Sequence, residues 1–230
     1  MTPAPMLTSF RAAAVLAAAF LCAHAEAASV RFLAWDHQVS SLKLMVRHDG
    51  KDRPIVDLHA DKRSEPVTDL PGDAELILVN PAAKGPEGDP ATVAVKIPQG
   101  LAEPLVILLP DAAGDAGVRG FAVDDSSAGF KYGTTRFLNT TGKPLAVRCE
   151  KSVLRLDKSW VPVDVDPGGA ARNVPVQMAP AEKTSTVLYS SIWEYDPGVR
   201  KLALILAGTA REAGMIQVKI ITERRRDPAP

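Results

Sequence analysis

The sequence predicts an all-β chain, built as two small β-sandwich modules behind an export signal. Three observations carry that reading. Short apolar alternations recur along most of the chain, each closed by Pro, Gly or Asp. Helical periodicity is nearly absent once the N-terminal segment is passed. A run of small residues, Asp111 to Gly117, divides the strands into two sets.

The N-terminus comes first. After a single cation at Arg11, residues Ala12 to Cys22 are uninterruptedly apolar. That run is about the length of a signal core and shorter than the ~20 residues a membrane span needs. Ala25 and Ala27 hold the two small-residue positions a signal peptidase reads, so cleavage is expected after Ala27 and residues 1–27 are assigned as signal peptide. Leu21 stands where a lipoprotein signal requires a small residue before Cys22, so no lipid anchor is expected. The chain is therefore read as periplasmic or secreted, with no membrane span.

The first module is assigned to residues 28–110. Val30 to Trp35 begins it. Leu42, Leu44 and Val46 then alternate with polar positions, and Asp49-Gly50-Lys51 turns the chain into Pro54, Val56 and Leu58. A three-residue loop with Gly50 left-handed would put both apolar sets on one face of a hairpin. Glu75–Val79, Thr92–Ile97 and Leu105–Leu109 supply three more strands. Residues 111–119 read as a linker, small and polar with no apolar period.

The second module is assigned to residues 120–224. Its strands are Phe121–Val123, Thr134–Leu138, Leu145–Cys149, Val153–Leu156, Val161–Val165, Val174–Met178, Val187–Tyr195, Lys201–Ala207 and Met215–Thr222. Lys201–Ala207 is apolar on both parities and so predicts a central strand covered on both faces. Residues 225–230 read as a disordered tail. A short repeat links the modules: Val30-Arg31-Phe32-Leu33 recurs as Thr135-Arg136-Phe137-Leu138. Each copy leads to a strand ending in Val-Arg, at Val46-Arg47 and Val147-Arg148.

Composition narrows the function. Lys+Arg and Asp+Glu each number 27, so no net field draws the chain to nucleic acid or an anionic membrane. Removal of Cys22 leaves Cys149 alone, without an internal disulfide partner. It sits in an apolar strand and reads as packing, with Leu145 and Val147 beside it. The signatures of serine hydrolases, zinc proteases, phosphate-binding loops and dinucleotide folds are missing from the sequence. No catalytic residue, cofactor or metal is expected.

Three segments still offer chemistry. His37, His48 and His59 lie near carboxylates, but the hairpin register sends His48 to the opposite end from His37 and His59, too far for one metal; what remains is a His37/His59 pair with Asp36, against the reading of all three as surface turn and edge residues. Asp124-Asp125-Ser126-Ser127-Ala128-Gly129 is acidic and hydroxyl-rich, and reads either as a calcium loop or as a turn with Gly129 at positive φ. Tyr189, Ser191, Trp193 and Tyr195 share one parity of one strand. Such an aromatic row is either a platform for a polysaccharide or an extended polypeptide, or a piece of core. Tyr189, Trp193 and Tyr195 are accordingly the candidate ligand-binding residues.

In overall shape, a signal followed by two β modules, the chain is similar to the periplasmic pilus chaperones. Those proteins use basic residues in the cleft between two immunoglobulin-like domains, and a long edge strand of alternating apolar residues. The likeness is one of architecture and rests on no shared motif. The sequence thus points to an exported, non-enzymatic binding or assembly module of the bacterial envelope. A surface-associated structural protein with no discrete ligand is the competing reading, and a secreted hydrolase the third.

Overall fold

The computed structural model describes residues 27–71, 75–208 and 216–225. The expected signal lies outside them up to residue 26, as do most of the loop 208–214 and residues 226–230 of the expected tail. Its regular structure is almost entirely strand. In order come β1 (Ala27–Ala34), the short helix α1 (His37–Ser40), β2 (Met45–His48), β3 (Lys51–Pro54), β4 (Val67–Pro71), β5 (Glu75–Lys84), β6 (Pro90–Lys96), β7 (Pro104–Pro110) and β8 (Val118–Asp124). Then follow β9 (Thr135–Asn139), β10 (Leu145–Cys149), β11 (Ser152–Leu156), β12 (Val163–Val165), β13 (Arg172–Pro180), β14 (Tyr189–Tyr195), β15 (Val199–Ala207) and β16 (Ile216–Arg224).

These strands make four four-stranded sheets. Sheets β4-β1-β7-β8 and β3-β2-β5-β6 form the first sandwich, and β12-β9-β15-β16 and β11-β10-β13-β14 form the second. The strand order of the second sandwich is that of the first with eight added to every number. The strand sense repeats too: β1 runs parallel to β7, and β9 parallel to β15. The short sequence repeat is therefore the visible part of a duplicated fold. Phe32 and Phe137, its shared aromatics, are fully buried in their own cores.

Each sandwich closes its own core by the alternation of inward side chains. Phe32, Val106 and Leu108 of one sheet meet Leu44, Val46, Leu78 and Val95 of the other in the first module. Phe137, Ala203 and Ile205 meet Val147, Val176, Met178 and Trp193 in the second. A third cluster joins the modules. Leu33, Leu105, Ile107 and Val123 from the first pack with Leu138, Leu202, Leu204 and Ile221 from the second. The register makes these two quartets equivalent: Leu33 pairs Ile107 as Leu138 pairs Leu204, and Leu105 pairs Val123 as Leu202 pairs Ile221. The inner sheets thus meet through equivalent residues, and the molecule is a stack of four sheets. This is why β15 is buried on both faces from Leu202 to Ile205.

The structure moves two expected boundaries. Residues 111–119 are not a linker between modules. Asp111–Gly117 is the loop of the β7–β8 hairpin, closed by hydrogen bonds from Asp111 N to Gly117 O (2.9 Å) and from Gly117 N to Gly114 O (2.9 Å). A tight loop and a linker draw on the same small residues, so composition does not separate them. Strand β8 therefore belongs to the first module, and the chain crosses over between Asp124 and Thr135. The β2–β3 hairpin has a two-residue turn rather than three. Asp49 and Gly50 both take positive φ (49° and 69°), and His48 pairs with Lys51. That is the geometry that matches strand twist best. The register is consequently one residue off the expected one, and Val46 faces Arg53 instead of Pro54.

Candidate functional site

The expected aromatic row on β14 is core. Trp193 and Tyr195 are 8% and 7% exposed and belong to the second module's buried cluster. The Trp193 ring stacks on Phe137 with centroids 5.8 Å apart, and its indole N–H donates to the Tyr189 hydroxyl at 3.0 Å. The Tyr195 hydroxyl donates to Asp166 at 3.3 Å. Tyr189 is half-buried against the same cluster. β14 is an edge strand, but only its edge is open, and its aromatic parity points into the sandwich. The opposite parity faces solvent, with Ile192 68% exposed. Cys149 is buried in the same core, and burial pushes its thiol pKa up.

The acidic turn Asp124–Gly129 is an arginine clamp. The Asp125 carboxylate is 2% exposed and accepts from Arg31 at 2.8 Å and from Arg63 at 2.8 Å on both oxygens. Arg200 stands 3.5 Å away and donates instead to the Asp125 and Phe130 carbonyls. Glu223 closes the set, accepting from Arg31 (3.0 Å) and from Arg200 (2.7 Å). Arg136 donates to Asp164, to the Asp124 carbonyl and to the Gly129 carbonyl. Gly129 is not at positive φ. Its role is space: a Cβ there would sit 1.6 Å from an Asp124 carboxylate oxygen. Cations already fill the positions a calcium ion would need.

This clamp tightens one end of the inter-module seam, since Arg31 and Arg63 belong to the first module and Arg200 and Glu223 to the second. The apolar quartets occupy the middle. Among the described residues no open basic cleft of the pilus-chaperone kind lies between the modules, because these arginines are paired with Asp125 and Glu223. An open hollow of about 650 Å³ does adjoin the clamp, lined by Arg31, Lys62, Glu65, Glu103 and Glu223 among others. Both signs of charge line it, and its Lys62 is already paired with Asp57 at 2.5 Å.

The clamp has a pH signature. Burial pushes the Glu223 carboxyl up, but Arg63, Arg200 and Arg31 outweigh it and hold it below the usual carboxylate range. A depressed folded-state pKa contributes stability that is fully present above the unfolded value of about 4.3 and is lost as pH falls through the folded value. The urea midpoint should thus be insensitive to this group from neutrality to about pH 5 and fall more steeply below about pH 4. Glu223→Gln should flatten that acid limb. An identical limb in both proteins would show that the clamp does not carry it.

The other end of the seam is aromatic, and sequence reasoning did not single it out. Trp35 follows β1 and Phe121 lies on β8, while Trp160 comes from the loop after β11 in the second module. The two indoles stack with centroids 6.1 Å apart and planes 24° from parallel. Phe121 meets Trp160 edge-on at 5.1 Å. All three are only partly buried. Trp160 takes φ +60°, a left-handed conformation that a bulky residue adopts only when its surroundings impose it.

A polar rim adjoins these rings. Lys219 donates from Nζ to the Trp35 carbonyl at 2.8 Å and lies 3.9 Å from the Asp61 carboxylate. Burial lowers the Lys219 pKa, against the opposing pull of Asp61 and Asp36. His59 accepts from the Asp61 backbone N–H at 2.9 Å, and its ring lies 6.3 Å from that of His37. Among the described residues no group of three or more His, Cys, Asp or Glu side chains is placed to hold a metal ion. The signals that pointed here were present but dispersed: two of the three tryptophans, two of the histidines and one lysine, spread from residue 35 to residue 219.

No family model matches the chain, and no curated protein matches it.

Proposed function

We propose that this protein is an exported component of the bacterial envelope that binds a partner without chemical turnover, through the aromatic end of its inter-module seam. The export reading rests on the Ala12–Ala27 segment. The binding reading rests on one observation above the others, a break in the duplication. Trp35 and Thr140 are equivalent positions: each donates its backbone N–H to the equivalent carbonyl, Leu108 and Ile205. Likewise Phe121 is equivalent to Lys219, since one pairs with Ile107 and the other with Leu204. The second copy of the fold is complete with Thr140 and Lys219 at these places. The equivalent end of the second copy closes without these aromatics, so rings at these partly exposed positions are free to serve another purpose.

Partner contact supplies that purpose. Stacked indoles offer wide contact area with few rotatable bonds, and they concentrate binding energy when a partner covers them. The seam also fixes the rings relative to one another, because Trp35 and Phe121 come from one module and Trp160 from the other.

The test is Trp160→Ala. Its stability should fall by no more than about 1.5 kcal/mol, the scale of a lost aromatic pair. Its retention on an immobilised cell-envelope fraction should fall at least about tenfold, which corresponds to about 1.4 kcal/mol. Equal retention of wild type and variant would remove this end of the seam as the binding site and favour a purely structural role.

A further inference from the structure

We infer that the partner at this site is a glycan chain, whose pyranose rings rest on the Trp35–Trp160–Phe121 surface. The inference depends on the binding role proposed above and adds the chemical class of the ligand.

A pyranose has a face of axial C–H groups and an equator of hydroxyls. The face packs on the electron-rich plane of an indole, and the hydroxyls need donors and acceptors at the ring's edge. Both halves of that requirement are met here. The rings come from Trp35, Phe121 and Trp160. The edge groups come from the rim: the Asp61 carboxylate at 62% exposure is an acceptor, and the His59 imidazole at 43% exposure offers the nitrogen not engaged by the Asp61 N–H. The ammonium of Lys219 is 21% exposed beside Trp35. The rim pairs one strong acceptor with one strong donor, which suits a hydroxyl that both donates and accepts.

An extended polypeptide is disfavoured by the backbone. Strand addition needs an open edge. β8, which carries Phe121, is an edge strand of its sheet, and β6 of the other sheet lies close beside it. Gly120 records how close that packing is: a Cβ on it would stand 2.5 Å from a Val95 methyl. A strand added beside β8 would have to fit next to β6, so recognition at this corner is assigned to ring and side-chain polar groups and not to main-chain pairing. A nucleic acid is disfavoured by charge, because Lys219 is matched by Asp61.

The experiment uses the intrinsic fluorescence of the whole mature chain. Of its three tryptophans, Trp193 is buried in the second core and reports little on surface binding. The probes are a β-1,4-linked N-acetylglucosamine hexasaccharide, a β-1,4-linked glucose hexasaccharide and an alanine-rich hexapeptide. A saturable change with at least one saccharide at up to millimolar concentration is expected, and none with the peptide. Trp160→Ala and Trp35→Ala should each weaken saccharide binding at least tenfold, and Asp61→Asn should weaken it while leaving the aromatic emission of the free protein unchanged. No saturable change with either saccharide would overturn the glycan assignment. If Trp160-dependent retention on the envelope fraction persisted in that case, the binding site would stand with a ligand other than a glycan, and a saturable response to the peptide would identify it as a polypeptide. Saccharide binding unaffected by both tryptophan variants would overturn the site itself.

Discussion

Asp125→Ala should lower the stability of the whole molecule by about 3–5 kcal/mol, the cost of breaking a buried charge pair from one side. The carboxylate is 2% exposed, and the side chains of Arg63 and Arg200 around it are 5% and 2% exposed. Removing it leaves those guanidiniums in a low-dielectric seam with only Glu223 to balance them and Arg31. Folded domains have a margin of about 5–15 kcal/mol, so a loss on this scale is a large part of it. A denaturant midpoint read by circular dichroism gives the answer. Both modules should be affected, since the clamp takes Arg31 and Arg63 from one, Arg200 and Glu223 from the other, and Asp125 from the crossover between them. A loss under about 1 kcal/mol would mean that the clamp behaves like an exposed ion pair. Replacing the buried charges together by apolar residues of similar volume should cost far less than Asp125→Ala. Buried ion pairs are strongly destabilising to break but of small net benefit to have.

Trp193→Ala should be the second large effect, at about 3–5 kcal/mol. The indole fills the second module's core, stacked on Phe137 and hydrogen-bonded to Tyr189. Truncation leaves a cavity that β13 and β10, paired to each other and held on both sides, have little freedom to close. Its chain neighbour is the internal comparison. Ile192 is 68% exposed on the other parity of the same strand, and Ile192→Ser should change stability by no more than about 0.5 kcal/mol. If the two variants had equal midpoints, the inward orientation of the aromatic row would be wrong.

That pair of residues also shows what periodicity contains. The alternation along Tyr189–Tyr195 states that Tyr189, Ser191, Trp193 and Tyr195 share a face, and they do. It does not state which face is inward, because that depends on what lies across the sheet. Phe137 supplies the answer from fifty-six positions away. Polar caps on the aromatics made both orientations chemically reasonable, and only the packing partner chose between them.

The sequence by itself determined the fold class and nearly every strand, and it carried a short repeat, Arg-Phe-Leu at Arg31 and Arg136, whose meaning as a duplication came from the strand order. These are local properties: period-two alternation, turn residues and short repeats all act within about ten residues of chain. It also marked Lys201–Ala207, apolar on both parities, as a strand covered on both faces. The tertiary structure alone decided where that second apolar face goes, namely onto the equivalent face of the other module. It alone turned Asp125 from a turn residue into the centre of an arginine clamp, and it assembled Trp35, Phe121 and Trp160 into one surface. The reason is physical. Charge pairing and ring stacking depend on distances of a few ångströms between residues that can be more than a hundred positions apart, and such distances are fixed by how the inner sheets pack against each other.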